Sequence, residues 1–173
     1  MITSDQLHLI IPYSSSQNRT LYIDHLNSAM AEYEINTPLR QAAFISQLAH
    51  ESGSLNYVKE LADGKKYEGR IALGNTVKGD GVKYKGRGLI QITGRANYQK
   101  LSDAFKVDFM NAPEKLEDPE FAVKSACWFW TTHGLNDLAD KKDFLSITKK
   151  INGGTNGLAE RETFYKKALE VIK

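Results

Sequence analysis

Two glutamates nine positions apart, Glu51 and Glu60, are the residues of this 173-residue chain best suited to chemistry. The first stands in Ala49-His50-Glu51-Ser52-Gly53-Ser54-Leu55, where it closes an apolar-rich run, Leu39 to Leu48, whose spacing predicts a buried helix. A carboxyl group at the end of such a helix is half in apolar surroundings and half in a cleft. That setting favours the protonated form and suits a general acid near neutral pH. A second carboxylate can face it across a bound substrate, the arrangement that cleaves glycosidic bonds. Pairs at this spacing also arise by chance in a charged chain, so the two glutamates need support from other residues.

Some of that support lies in a second block, Tyr84-Lys85-Gly86-Arg87-Gly88-Leu89-Ile90-Gln91-Ile92-Thr93-Gly94-Arg95-Ala96-Asn97-Tyr98. Its glycines permit close backbone approach. Gln91, Thr93 and Asn97 recur at short intervals, and their amides and hydroxyl can donate to and accept from the N-acetyl and hydroxyl groups of an amino sugar. Thr93 also has a purely structural reading, as the cap of a helix starting near Gly94, and one threonine can do both jobs. A third block, Ile151-Asn152-Gly153-Gly154-Thr155-Asn156-Gly157 with Arg161 beyond it, reads on its own as a glycine-rich helix entrance.

The elements that must position these residues are mostly helices. Thr3 or Ser4 caps a short one that ends before Pro12. A second is predicted from about Thr20 to Tyr33, with Leu21, Ile23, Leu26, Ala29 and Met30 facing inward. Pro38 suits the first turn of the next, which leads to Glu51. Asp118-Pro119 opens another, aromatic-rich through Trp130 and stopped near Gly134. The last runs from about Leu158, with Tyr165, Ala168, Leu169 and Ile172 on one face. Residues 62–88 differ: seven glycines interrupt any apolar pattern, which predicts an irregular loop with a small hairpin near Gly79-Asp80-Gly81. A long ordered loop beside a helical scaffold suggests a cleft.

Composition sets the outer limits. A hydrophobic content of 41% with 25% charged residues is that of an ordinary globular chain with a sizeable core, and no apolar stretch reaches the length of a membrane span. The net charge of +2 implies no nucleic-acid partner. Residues 141–173 carry eight Lys or Arg against four Asp or Glu, which reads as a solvated helix face rather than a docking surface for an anionic polymer. The lone Cys127 excludes an internal disulfide and reads as a buried structural thiol. Met1-Ile2-Thr3-Ser4-Asp5 lacks a basic stretch leading into an apolar one. The expectation is synthesis in the cytoplasm, with action in the periplasm or cell wall after release or delivery by another factor.

Together the three blocks resemble, in order and spacing, glycoside hydrolase family 19, which includes chitinases and the peptidoglycan-cleaving endolysins of bacteriophages. The resemblance runs from about Phe44 to the C-terminus, and residues 1–35 add little to it. It implies a mainly α, α+β lysozyme-like domain of two lobes over residues 1–173, with the glycine-rich loop lining a central cleft. It also implies that Glu51 is the general acid, that Glu60 is the general base, and that Thr93 helps hold the attacking water. Gln91, Asn97, Asn152 and Tyr84 are placed by it among the substrate contacts. Arg161 matches an arginine that orients the acid through a charge network. Glu68 is the rival for the base, with a salt bridge to Arg70, Arg87 or Arg161 as its structural alternative. His50 lacks a second histidine four positions on, since Ser54 stands there, and is read as a helix-packing residue. No metal or cofactor is expected.

Leu89 stands after Gly88 where chitinases of the family have proline, and Tyr67-Glu68-Gly69-Arg70 resembles the phage-type members. By family analogy these features favour peptidoglycan glycan strands over crystalline chitin; the resemblance implies an inverting hydrolase, and a monomer without stable membrane insertion is expected. Three alternatives stay open. A chitinase would act on chitin oligomers. A lytic transglycosylase would use Glu51 alone. A sugar-binding module would keep the cleft without the chemistry.

Overall fold

Side-chain caps written into the sequence start the first three helices of the computed structural model, which describes residues 1–173. Thr3 accepts from the Gln6 amide while the Gln6 side chain accepts from the Thr3 amide, a reciprocal box that starts α1 (Ser4–Ile10). Ser15 caps α2 (Ser16–Glu32), and Thr37, followed by Pro38 in the first turn, caps α3 (Pro38–Glu51). The remaining helices are α4 (Asp80–Lys83), α5 (Arg95–Phe105), α6 (Pro119–Thr132), α7 (Leu135–Asp140), α8 (Phe144–Asn152) and α9 (Leu158–Val171). Short 3₁₀ turns lie at Lys65–Tyr67, Ile71–Leu73 and Pro113–Glu117.

The fold is mainly helical. Its β component is limited to two isolated antiparallel bridges, Lys59 with Arg87 and Arg87 with Ile92. The hairpin expected near Gly79 is absent: Asp80–Lys83 forms a single helical turn instead. The reason is the Asp80 carboxylate, which accepts from the Val77 amide and pairs with Arg95 at 2.6 and 2.8 Å. Those bonds satisfy the turn locally and leave no paired strands to extend.

Buried apolar residues gather in two clusters. The larger joins α1, α2, α3, α6, α7, α8 and α9, with Phe44 and Trp130 packed edge to face at 5.3 Å. The smaller holds Tyr84, Ile92, Tyr98, Leu101, Phe109 and Leu116, so it lies under the end of the glycine-rich segment. Every residue from Ala42 to Ala49 is buried, which puts α3 at the centre of the larger cluster with α9 packed along it. Two inward-facing assignments are corrected. In α2 the buried stripe is Tyr22, Leu26, Ala29 and Met30, and Leu21 is 45% exposed. In α9 the buried residues are Arg161, Phe164 and Ala168, while Leu169 faces outward. In both cases a neighbouring residue completes the i, i+4, i+7 stripe better. Asp118 precedes α6 without a side-chain bond to its first turn, so Pro119 alone marks that start. No helix is long and apolar enough to cross a membrane.

Candidate active site

Glu51 is the last residue of α3, and its side chain retains 19% of its exposure. What faces it is a cation rather than an apolar wall: Arg161 Nη2 donates to Glu51 Oε1 at 2.6 Å. The Arg161 side chain is only 2% exposed, and its other nitrogens bind Gln47 Oε1 and, at 3.1 Å, the Asn156 carbonyl. Gln47 in turn donates to Thr148 Oγ1 at 2.9 Å, tying α3 to α8. Asn152 donates to the same Asn156 carbonyl at 3.0 Å and accepts from the Gly154 amide. Glu51, Arg161 and Asn152 are therefore joined in one bonded network spanning α3, α9 and the α8–α9 turn.

Arg161 is enclosed, so it reaches the carboxylate and not solvent. It stands where it can orient the acid rather than touch a sugar. Gln47 was invisible as a site residue in the sequence. The signal was a polar side chain inside an apolar run, one helical turn before Glu51. His50 pairs with Glu160 across the start of α9, which is a packing role.

Only residues 52–59 separate the two carboxylates, wound into tight turns in which the Asn56 and Tyr57 amides both donate to the Ser52 carbonyl. Glu60 then pairs with the glycine-rich segment. Its amide donates to the Gly86 carbonyl at 2.9 Å, and the Gly86 amide returns a bond to Glu60 Oε2 at 3.3 Å. Lys66 Nζ lies 2.5 Å from Oε1, and Tyr67 Oη donates to the same oxygen at 3.2 Å. Partial burial opposes ionisation of this carboxyl. The Lys66 ammonium, the Gly86 amide and the Tyr67 hydroxyl outweigh it and hold Glu60 below the usual carboxylate range. A carboxylate kept ionised suits proton acceptance. Lys66 and Tyr67 were not singled out as site residues in the sequence, because nothing local shows that a loop folds back seven residues.

Gly86 also brings in the second block. A Cβ there would lie 2.7 Å from Gln91 Oε1 and 3.3 Å from Thr93 Oγ1, so only glycine lets these side chains stand against the segment that holds Glu60. Thr93 Oγ1 donates to the Gln91 carbonyl, and Asn97 Nδ2 donates to the Thr93 carbonyl at 2.8 Å. Thr93 does not cap α5: Gly94 occupies the cap position, with no side-chain bond. Beside them runs an open groove of about 570 Å³. Gln91, Thr93 and Asn97 line one part of it, Trp128 and Phe129 another, and Ile151, next to Asn152, closes it. The two carboxylates are not among its lining residues; Gly86, bonded to Glu60 and packed against Gln91 and Thr93, links the groove to the Glu60 side.

Two residues expected in the site lie elsewhere. Tyr84 is 1% exposed, packs on Tyr98 at 5.2 Å and donates to the Met110 carbonyl, which removes it from contact with a sugar. Glu68 makes none of the arginine salt bridges expected of it, since Arg87 pairs with Glu117 and Arg161 with Glu51. It accepts instead from the Gly79 and Gly81 amides at 2.6 and 2.8 Å, fastening the loop. A Cβ on Gly81 would come within 2.6 Å of the Glu68 amide nitrogen, so that clasp requires glycine. Both carboxylate oxygens of Glu68 are occupied by its own loop. Cys127 is buried, with its thiol pushed well up by desolvation, as befits a packing residue. No three His, Cys, Asp or Glu side chains converge as metal ligands.

A helical scaffold carrying a carboxylate at a helix end, with a second on an adjoining glycine-rich loop, is the architecture of a lysozyme-like glycoside hydrolase. Comparison with known proteins narrows this. The family model described as Chitinase class I matches residues 36–143. A glycosyl hydrolase family 19 domain-containing protein of Haemophilus influenzae is 32% identical, over 74% of this chain and 78% of that protein. An endochitinase of Arabidopsis thaliana is 36% identical over 65% of this chain, which spans 38% of that relative's length. Among solved structures, a bacterial family 19 chitinase superposes with a TM-score of 0.81 at 23% identity, covering 99% of this chain and 94% of that one. The class IV chitinase of Zea mays gives 0.78 at 23% identity, covering 99% and 92%. At such identities these two structures speak for the fold alone. The chain belongs to glycoside hydrolase family 19.

Proposed function

We propose that this protein hydrolyses β-1,4 bonds between amino sugars of bacterial peptidoglycan, with inversion at the anomeric carbon. Glu51 donates a proton to the leaving glycosidic oxygen. Arg161 engages Oε1 and so leaves Oε2 free to meet the substrate. Glu60, ionised, takes a proton from a water held with help from Thr93, and that water attacks the opposite face of the sugar. Gln91, Asn97 and Asn152 contact the sugar chain.

The observation that carries this reading is the contrast between the two carboxylates. Glu60 is held ionised by three donors on a loop, and Glu51 is fixed through a buried arginine at the end of a helix. A transglycosylase has no use for a second carboxylate so equipped. Support for peptidoglycan comes from the sequence: Leu89 after Gly88, and the Tyr67–Arg70 segment. The chitinase reading keeps one specific observation in its favour, the likeness to chitinase relatives.

Digestion of purified peptidoglycan, with masses and reducing ends of the products read out, tests the proposal. Hydrated reducing muropeptides are expected. Anhydro ends would replace the hydrolase with a transglycosylase and remove the role of Glu60. Intact peptidoglycan beside cleaved chitin would make the protein a chitinase. The proposed substrate lies outside the cytoplasmic membrane, and either release by a separate membrane-disrupting factor or delivery by a secretion machine is consistent with it.

A further inference from the structure

The groove beside the carboxylates has an uneven charge that the mechanism does not use. None of its lining residues is acidic. Lys100, exposed one turn beyond Asn97 on α5, lines it, and no carboxylate lies within ion-pair distance of that ammonium. His133 lines it too; its ring stacks on Phe129 at 3.9 Å and its Nδ1 donates to the Phe129 carbonyl. Lys150, likewise without an acidic partner, donates to the His133 carbonyl at 2.9 Å and adds a second ammonium behind that residue.

Most cations near the two carboxylates are already neutralised: Arg161 by Glu51, Lys66 by Glu60, Arg87 by Glu117 and Arg95 by Asp80. Lys100 and Lys150, like Lys85, have no such partner, and of these three only Lys100 lines the groove. The amides of Gln91 and Asn97 and the faces of Trp128 and Phe129 suit a neutral amino-sugar backbone, which needs no cation. An unpaired ammonium in such a groove attracts a negative substituent carried by that backbone.

We propose that Lys100 is a specificity-determining residue that selects glycan chains bearing carboxylate substituents, such as the acidic stem peptides of peptidoglycan, over unsubstituted chitin. The inference rests on the glycan-cleaving function proposed for this site and names the substrate feature the groove discriminates. Lys100 touches the substituent and not the scissile bond, so it acts on binding, and added salt weakens its effect.

The test uses two soluble polymers with one backbone, neutral glycol chitin and anionic carboxymethyl chitin. Affinity electrophoresis in gels containing each polymer, in an E51Q background so that the gel is not cut, gives the ratio of the two affinities. K100A is expected to lower the preference for the anionic polymer about fivefold at low salt, the size of one partly exposed charge contact. K100E should lower it further, and K100R should retain it. An unchanged ratio in K100A, or a fall in K100R equal to that in K100A, overturns the proposal. Peptidoglycan turnover by the wild-type protein is measured separately. If peptidoglycan stays intact while the affinity ratio still responds to Lys100, the substrate reading fails and the charge selection stands.

Discussion

Glu51 and Glu60 are held in opposite ways. On the Glu51 side everything is helix: α3, α8 and α9 meet around Arg161 and Gln47, both buried, and each polar atom there is satisfied by another element. On the Glu60 side everything is loop or 3₁₀ turn: Lys66, Tyr67 and Gly86 converge on the carboxylate, and Lys66 remains half in solvent. A buried network holds its geometry because leaving any member unpaired is costly. A loop holds its geometry through short-range bonds that solvent can replace. The two carboxylates should therefore fail differently when their supports are removed, in stability on one side and in pH dependence on the other.

The largest effect tests whether both carboxylates matter. Glu51→Gln is expected to lower kcat by ~10³-fold or more while the far-ultraviolet circular dichroism is kept, since a positioned proton donor contributes on that order. Glu60→Gln should fall by about 10²-fold or more on the same ground, and a fully active E60Q would collapse the comparison to a single carboxylate. Next comes the buried arginine. Arg161→Ala leaves Glu51 and Gln47 without their partner and should cost about 3 kcal/mol in urea unfolding, together with most of the activity. Stability within experimental error of the wild type would mean that this network does not anchor Glu51.

Smaller effects belong to the loop. Glu68→Gln and Gly81→Ala each loosen the clasp on the Gly79 and Gly81 amides, with an expected loss of ~1–2 kcal/mol. Amide hydrogen exchange should show the opening confined to residues around 65–83, and protection lost equally on α3 would contradict a local clasp. The smallest stability change is expected for Lys66→Ala, within ~0.5 kcal/mol because this lysine is largely exposed. Its signature is elsewhere. Removing the ammonium takes away one of the groups that hold Glu60 below the usual carboxylate range, so the Glu60 pKa rises. The base works only when ionised, and activity falls as pH drops through that pKa. The acidic limb of the kcat/KM profile must therefore move to higher pH. Tyr67→Phe should move the same limb in the same direction by less, and a limb that stays put in both variants would detach Glu60 from the reaction.

The helices that build the Glu51 side were legible because their information is local. Thr3 with Gln6, Ser or Thr caps, Pro38 and the unbroken apolar run before Glu51 act over a few residues, and α1, α3, α6 and α9 appear close to where these signals put them. The errors there are errors of face. Leu21 and Leu169 are apolar, yet each lies a residue away from the stripe that neighbouring helices cover. The short helices α7 and α8 were not separated from their connecting loops, although Asp143 caps the start of α8.

The glycine-rich side was legible only as a place. Its composition announced a loop beside a cleft, and its fold came from contacts that composition does not encode. Glu68 reaches eleven and thirteen residues ahead to two amides, and Asp80 reaches fifteen ahead to Arg95. Tyr84 stands in the same block as Gln91 and Thr93 but turns into the smaller core, because Tyr98 at the far end of the block and Met110 beyond it enclose it.

Residue types, spacing and helix boundaries were set in the chain itself: two glutamates nine apart, an amide-rich block, and caps that start the helices holding the first of them. Those are properties of neighbours along the chain, where propensity and periodicity act. Tertiary packing decided which partner each charge has, that Arg161 meets Glu51 through a space closed by Gln47, and that Lys66 and Tyr67 fold back on Glu60. It also decided that Lys100 meets no acid at all. Pairing of charges depends on which surfaces are brought together and desolvated, and that is settled only when the helices pack.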